Sequence, residues 1–170
     1  MAKLIIVSGL PGSGKSTLAE GIAHSLKIPI FSVDPIESAV LKSGLKKSFE
    51  TGLSAYLVAE TLADEHLELG ISVIIDAVSS VKEARDMWNN LSKKHNCKLV
   101  ILECTLDEKI HRERIEARVR NIFGIPEVTW EDIKNRKKEF LKWKEERLII
   151  DTSKDKDKIL AEALAYIDKF

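Results

Sequence analysis

The sequence has little of what marks a disulfide-stapled, disordered or uniformly charged protein. Its 170 residues include two cysteines and four prolines, and 27 basic residues balance 27 acidic ones. Two cysteines cannot build a disulfide scaffold, and a hydrophobic content of 44% excludes a disordered chain. The zero net charge argues against a surface that binds nucleic acid or anionic membrane throughout. The composition therefore indicates a globular protein, expected to form one domain over residues 1–170.

Long apolar runs are also missing. No run approaches the roughly 20 residues that cross a bilayer, and Gly9, Pro11 and Gly12 interrupt the first run too early for a signal peptide. Cys97 and Cys104 are separated by an odd spacing, which along a strand sends side chains to opposite faces. We therefore expect reduced cysteines, no membrane contact and a cytoplasmic location.

Short apolar runs alternate with longer segments of helical period, and this alternation predicts an α/β fold with a doubly wound parallel sheet. Gly70 and Asn96 are typical of residues that close helices. The predicted strands are Leu4–Val7, Ile28–Val33, Ser72–Ile75, Lys98–Glu103 and Leu148–Ile150. The predicted helices span about 15–26, 52–69, 80–95, 107–121, 129–147 and 155–168. Ligands of such sheets bind where the strands end.

A phosphate-binding loop follows the first strand, with the sequence Gly9-Leu10-Pro11-Gly12-Ser13-Gly14-Lys15-Ser16-Thr17. It satisfies G-x-x-x-x-G-K-[ST], in which glycines let backbone amides converge on phosphate oxygens. The following helix points its positive N-terminal end at the same oxygens. We expect Lys15 to reach the β- and γ-phosphates and the Ser16 hydroxyl to ligate Mg²⁺. The motif therefore predicts a protein that binds a nucleoside triphosphate.

This loop, with the placement of Asp34, Asp76 and Arg114-x-x-x-Arg118, resembles the small P-loop kinases of the adenylate-kinase-like group. The greatest resemblance is to the kinase family akin to zeta toxins, chloramphenicol phosphotransferase and polynucleotide kinase. It covers nearly the whole chain and implies a five-stranded P-loop NTPase sheet of order 2-3-1-4-5. It also implies a small mobile helical lid, at about residues 112–135, and Mg-ATP as the phosphoryl donor.

Asp34, directly after the second predicted strand, has two interpretations. The resemblance implies a carboxylate that accepts the proton of the acceptor hydroxyl or positions it. Alternatively, Asp34 is a helix N-cap, with Pro35 at the first helical position and Glu37 at the third. A capping carboxylate is bonded to backbone amides and loses basicity. Both interpretations remain open at this point.

Acidic residues end other apolar runs. Asp76 is the expected Walker-B-like residue that orients Mg²⁺, with Asp151 and Glu103 as competitors and a plain strand-end cap as the alternative. In the resembled kinases the loop after the last strand forms a base pocket. The resemblance therefore places Asp151 and Thr152 near the adenine.

Four arginines lie on the predicted helix 107–121. Arg112 and Arg120 have Glu116 four residues away, so both are expected in local ion pairs. Arg114 and Arg118 have no acidic neighbour at helical spacing, and an anion bridging them would form a phosphate clamp. The resembled kinases place R-x-x-x-R in the lid, where it neutralises charge on the transferring phosphoryl. The alternative is that both extend into water or pair elsewhere in the fold.

The remaining polar and aromatic residues carry weaker signals. The four histidines, His24, His66, His95 and His111, show no metal-ligand spacing and are predicted to be structural. Arg85 is expected on a solvated helix face, with contact to substrate as the alternative. The tryptophans are expected to pack.

The predicted function is an ATP-dependent kinase that transfers the γ-phosphoryl of Mg-ATP to a hydroxyl or phosphate acceptor on a small molecule. One alternative is a nucleoside, nucleotide or polynucleotide 5′ kinase, so nucleic acid enters only as an acceptor. Another is a non-catalytic or partner-stimulated ATP-binding regulator. We expect a monomer or homodimer, and the acceptor is not determined by these motifs.

Overall fold

The computed structural model describes residues 1–170 and contains one sheet of five parallel strands flanked by seven helices. The strands are β1 Lys3–Ser8, β2 Ile30–Ser32, β3 Val73–Asp76, β4 Lys98–Thr105 and β5 Leu148–Asp151. The helices are α1 Lys15–Leu26, α2 Val33–Lys42, α3 Phe49–Glu68, α4 Lys82–Lys94, α5 Glu108–Ala117, α6 Trp130–Glu139 and α7 Lys156–Ile167. The sheet order β2-β3-β1-β4-β5 confirms the predicted fold class and strand order.

Helices cover the sheet on both faces, as the apolar strand runs predict. Along β1, Leu4 and Ile6 face one cluster of 14 buried residues, and Ile5 and Val7 face a second cluster of 14. The first cluster includes side chains of α3 and α4, and the second includes side chains of α1 and α7. This two-sided core fixes the carboxyl ends of the strands at one edge of the sheet, where ligands of such folds bind.

Local sequence signals set several helix ends. Ser48 and Thr51 form a capping box at the start of α3, in which each side chain bonds the other's backbone amide. Gly70 has a φ of 74° and Asn96 a φ of 46°. Both therefore take the left-handed conformation that ends a helix, as predicted.

The prediction of a helix over 107–121 is wrong at its C-terminal end, because α5 stops at Ala117. Residues 118–129, here called the lid loop, leave the helical path, and Asn121 has a φ of 50°. The Ser38 hydroxyl of α2 donates a hydrogen bond to the Phe123 carbonyl at 2.8 Å. Contacts with α2 thus hold this segment and outweigh its local helical tendency.

The prediction of a helix over 129–147 is also wrong beyond Glu139. Trp143 is only 4% exposed and packs in the cluster with Trp88, so burial of the indole directs the chain out of the helix. The Arg85 guanidinium lies 4.3 Å from the Trp143 ring centroid and donates to the Leu141 carbonyl. Arg85 is therefore buried within the fold rather than solvated.

The structure also describes the two cysteines and the apolar character of the helices. Cys97 and Cys104 are both free thiols, as predicted, and burial raises the pKa of Cys104 to about 12. Such a thiol is not reactive at neutral pH. None of the helices combines the length and apolar character needed to cross a membrane.

Candidate active site

The phosphate loop connects β1 to α1, so the strand–loop–helix context that the motif requires is present. Gly14 is the N-cap of α1 with a φ of 84°, and Gly12 has a φ of 81°. A Cβ on Gly12 would lie 2.6 Å from Cδ1 of Ile115 in α5. The loop therefore requires glycine at position 12, both for its backbone conformation and for the close approach of α5.

A cavity of about 680 Å³ opens beside the loop, between α1, α5 and the start of α7. Its volume lies within the range of small-molecule sites. The residues that line it and that the sequence predicted are Gly12, Gly14, Lys15, Ser16, Thr17, Arg114, Arg118 and Thr152. Lining residues that the sequence analysis missed include Gly21, Lys156, Asp157 and Leu160. The last three lie on α7, where no motif marked them.

The segment after β5 contributes one of its two predicted residues to this cavity. Thr152 lines it, and its hydroxyl donates to the Ser13 carbonyl of the phosphate loop at 2.6 Å. Asp151 does not line the cavity. Its carboxylate accepts hydrogen bonds from Ser153, which lower the pKa of Asp151. The structure thus brings Thr152 to this cavity and leaves Asp151 outside its lining.

Asp34 does not cap α2, so that interpretation is wrong. The helix begins at Val33 with Ser32 as N-cap, which makes Asp34 its second residue. The carboxylate accepts a hydrogen bond from Arg120 Nη2 at 2.6 Å. Burial alone would raise the pKa of Asp34, but the nearby cations Lys15 and Arg120 hold it below its ordinary value. Asp34 is therefore ionised and faces the lid loop.

Asp76 lies at the end of β3, where its register partner is Val7, close to the start of the phosphate loop. It is buried, and Oδ2 accepts a hydrogen bond from Ser32 Oγ at 3.0 Å. Oδ1 is buried without a hydrogen-bond partner. A buried carboxylate oxygen without a partner is costly, and a ligand or its water in the site would relieve that cost.

The two arginines of the R-x-x-x-R pair line the same cavity but differ in their contacts. Arg114 donates to the Thr152 carbonyl at 2.8 Å and to its hydroxyl at 3.3 Å. Arg118 has a buried Nη1 without a partner. Burial and the neighbouring Arg120 lower the pKa of Arg118. Arg118 therefore offers a buried guanidinium nitrogen without a partner, whereas both Nη atoms of Arg114 are engaged.

One of the two predicted local ion pairs is present. Arg112 pairs with Glu116 at 2.7 Å, as helical spacing predicts. Arg120 does not pair with Glu116, because α5 ends at Ala117 and Arg120 is no longer on a helical face. It pairs with Asp34 instead, 86 residues away in sequence.

The sequence matches a known family. A family model described as AAA domain covers residues 4–140. An uncharacterised protein of Mycobacterium tuberculosis strain H37Rv is 30% identical over 128 residues, which represent 68% of this chain and 26% of that protein. The chain therefore spans about a quarter of the length of its mycobacterial relatives.

Several solved structures share the fold. A presumed kinase of Chloroflexus aurantiacus has a TM-score of 0.79 and 22% identity, covering 97% of this chain and 98% of that one. A gluconokinase of Sinorhizobium meliloti has a TM-score of 0.72 and 16% identity, covering 99% and 92%. An APS kinase of Mycobacterium tuberculosis, solved with AMPPNP and APS, has a TM-score of 0.71 and 16% identity, covering 98% of each chain. These likenesses confirm the resemblance to small P-loop kinases at the level of the fold.

Proposed function

The chain belongs to the AAA domain family, and from that premise we propose that it is an ATP-dependent kinase. It transfers the γ-phosphoryl of Mg-ATP to a hydroxyl or phosphate group of a small molecule. The observation that carries this proposal is the position of Lys15. Lys15 lines the nucleotide cavity and is close enough to Asp34 to lower its pKa. Lys15 is thus close both to a cavity that fits a triphosphate and to the carboxylate of Asp34, which suits an acceptor.

The nucleotide occupies the cavity beside the phosphate loop. Its phosphates bind the loop amides and the N-terminus of α1, and Lys15 contacts the β- and γ-phosphates. Its base lies toward Thr152 and the first turn of α7. The APS kinase structure with bound AMPPNP supports nucleotide binding in this fold.

Two residues fit a bound Mg²⁺. The Ser16 hydroxyl lines the cavity at the start of α1, and Oδ1 of Asp76 is a buried oxygen without a partner. Oxygen donors of this kind suit Mg²⁺, directly or through its water. Ser16 and Asp76 would hold the ion, which would supply positive charge to offset that of the β- and γ-phosphates.

Asp34 and Arg118 act on the transferring group. The ionised Asp34 accepts the proton of the acceptor hydroxyl or holds that hydroxyl in line, while the free Arg118 nitrogen stabilises charge on the phosphoryl. Arg114 has a supporting role, because its guanidinium is already bonded to Thr152. Transfer proceeds by positioning and charge neutralisation without a covalent enzyme intermediate.

The location and the oligomeric state of the protein are also proposed, since the chain spans about a quarter of the length of its mycobacterial relatives. We place the kinase in the cytoplasm as a single domain, monomeric or homodimeric, with nucleic acid only as a possible acceptor. The gluconokinase and APS kinase likenesses make hydroxyl compounds the first acceptors to test.

The test is release of ADP from Mg-ATP, measured alone and then with a panel of acceptors. The panel contains polyols, sugar acids, nucleosides, nucleoside monophosphates and an RNA with a 5′-hydroxyl. We expect one class to raise turnover at least about tenfold, with phosphate found on that acceptor. Stimulation only by a protein partner, with no phosphorylated small molecule, would instead establish an ATP-binding regulator.

A further inference from the structure

Two side chains from other segments form hydrogen bonds with backbone carbonyls of the phosphate loop. His111 Nε2, in the first turn of α5, lies 2.7 Å from the Pro11 carbonyl oxygen. The Thr152 hydroxyl donates to the Ser13 carbonyl at 2.6 Å. The carbonyls of two alternate loop peptides are therefore both fixed by hydrogen bonds to side chains from outside the loop.

A carbonyl fixed in this way also fixes an amide. All peptide bonds in the chain are trans, and in a trans peptide the C=O and the following N–H point in opposite directions. The bond to Pro11 thus turns the Gly12 amide to the other side of the loop. This amide is one of those that the phosphate-loop motif uses to bind phosphate.

His111 is itself rigidly placed. It is buried, and its ring meets Trp130 of α6 edge-on at a centroid distance of 5.5 Å. Burial lowers its pKa, and a neutral ring with hydrogen on Nε2 donates to the carbonyl. One helical turn further on, Ile115 packs against Gly12. Two residues of α5 therefore hold the Pro11–Gly12 peptide from the same side.

We propose that His111 is a positioning residue for the triphosphate, which holds the Gly12 amide toward the phosphates through the Pro11 carbonyl. This inference rests on the proposed nucleotide site. His111 was predicted to be structural. No local sequence pattern could indicate this role, because Pro11 lies 100 residues away in the chain.

The variants separate the donor from the packing. His111→Phe keeps a ring against Trp130 and removes the N–H donor, whereas His111→Gln keeps a donor. His95→Phe is the matched control, since His95 is also buried and bonded, to Asp64 of α3, away from the loop. Affinities are measured for Mg-ATP, for tripolyphosphate, which has no base, and for adenosine, which has no phosphate.

We expect His111→Phe to weaken binding of Mg-ATP and tripolyphosphate about tenfold while leaving adenosine unchanged, because the Gly12 amide is no longer held for its hydrogen bond to a charged phosphate oxygen. His111→Gln restores most of that affinity, and His95→Phe stays within about twofold of wild type. A folded His111→Phe that binds tripolyphosphate like wild type would overturn the inference, as would an equal loss for adenosine.

A measurement on the wild type covers the case in which His111→Phe does not fold. With ¹⁵N-labelled protein, tripolyphosphate is titrated while the His111 ring and Gly12 amide resonances are followed. Coupling between sites is reciprocal, so we expect both resonances to shift. A shift of Gly12 with an unmoved His111 ring overturns the role of His111 alone. No binding of Mg-ATP or tripolyphosphate at all overturns the proposed function together with this inference.

Discussion

The two halves of the proposed active site, one for the nucleotide and one for the acceptor, are built in different ways. The nucleotide half is one continuous loop, Gly9–Thr17, whose conformation is set by glycines and whose carbonyls are bonded to His111 and Thr152. The acceptor half combines Asp34 with residues of the lid loop, which come from separate segments. Its central contact, between Asp34 and Arg120, is between side chains that are 30% and 18% exposed. The phosphate loop is thus already formed, whereas the partly exposed contact between Asp34 and Arg120 can exchange for contacts with an acceptor.

The largest expected effect comes from removing Lys15, which belongs to the nucleotide half. Lys15→Ala should fold, yet lose stabilisation by Mg-ATP, normally about 2.7 kcal/mol at a ligand concentration a hundredfold above Kd. Thermal unfolding with and without Mg-ATP measures this. If the variant gains as much stability from Mg-ATP as the wild type, Lys15 is not part of the nucleotide site.

Asp34→Asn tests the acceptor half and should lower turnover by roughly 10²–10⁴-fold with little change in Mg-ATP affinity. The amide keeps an oxygen for Arg120 but cannot accept the proton. The free energy of unfolding should fall by no more than about 1 kcal/mol, since the ion pair is partly exposed. Steady-state rates and Mg-ATP affinity measure the two halves separately. Unchanged turnover with the identified acceptor would contradict a role for Asp34 in proton acceptance.

Arg118→Ala should reduce phosphoryl transfer by about 10²-fold, the effect of losing one preorganised donor. The melting temperature without nucleotide should be unchanged or slightly raised, because a buried nitrogen without a partner is removed. Arg112→Ala, on the exposed face of α5, is the matched control and should leave turnover normal and stability almost unchanged, because its ion pair with Glu116 is exposed to solvent. An Arg118 variant that melts early and turns over normally would identify a structural residue.

The smallest effect is on the pH profile. Because the pKa of Asp34 lies below its ordinary value, the acid limb of kcat/KM that reports its protonation should lie below the ordinary pKa of an aspartate carboxyl. The same shift gives a contribution to stability that is present above that pH and is lost as the pH falls through the folded-state pKa. Arg120→Ala should move the acid limb to higher pH. A limb that does not move would show that Arg120 does not influence the base.

The helix predictions show where local signals fail. Gly70 and Asn96 end helices as predicted, because a left-handed residue acts on its own turn. The end of α5 at Ala117 and the end of α6 at Glu139 were not predictable, because they depend on contacts with α2 and on burial of Trp143. Those contacts join residues far apart in sequence, and their free energy exceeds the small differences in helix propensity.

The sequence by itself determined the alternation of strands and helices, the α/β class and the phosphate loop. Each of these depends on residues close together in the chain, through side-chain periodicity or glycine backbone conformation. Only the tertiary structure decided that Arg120 pairs with Asp34, that Arg114 is bonded to Thr152 and that His111 bonds the Pro11 carbonyl. Those pairs are 86, 38 and 100 residues apart. Their choice depends on where α5 ends and how the lid loop folds onto α2, which no local periodicity encodes.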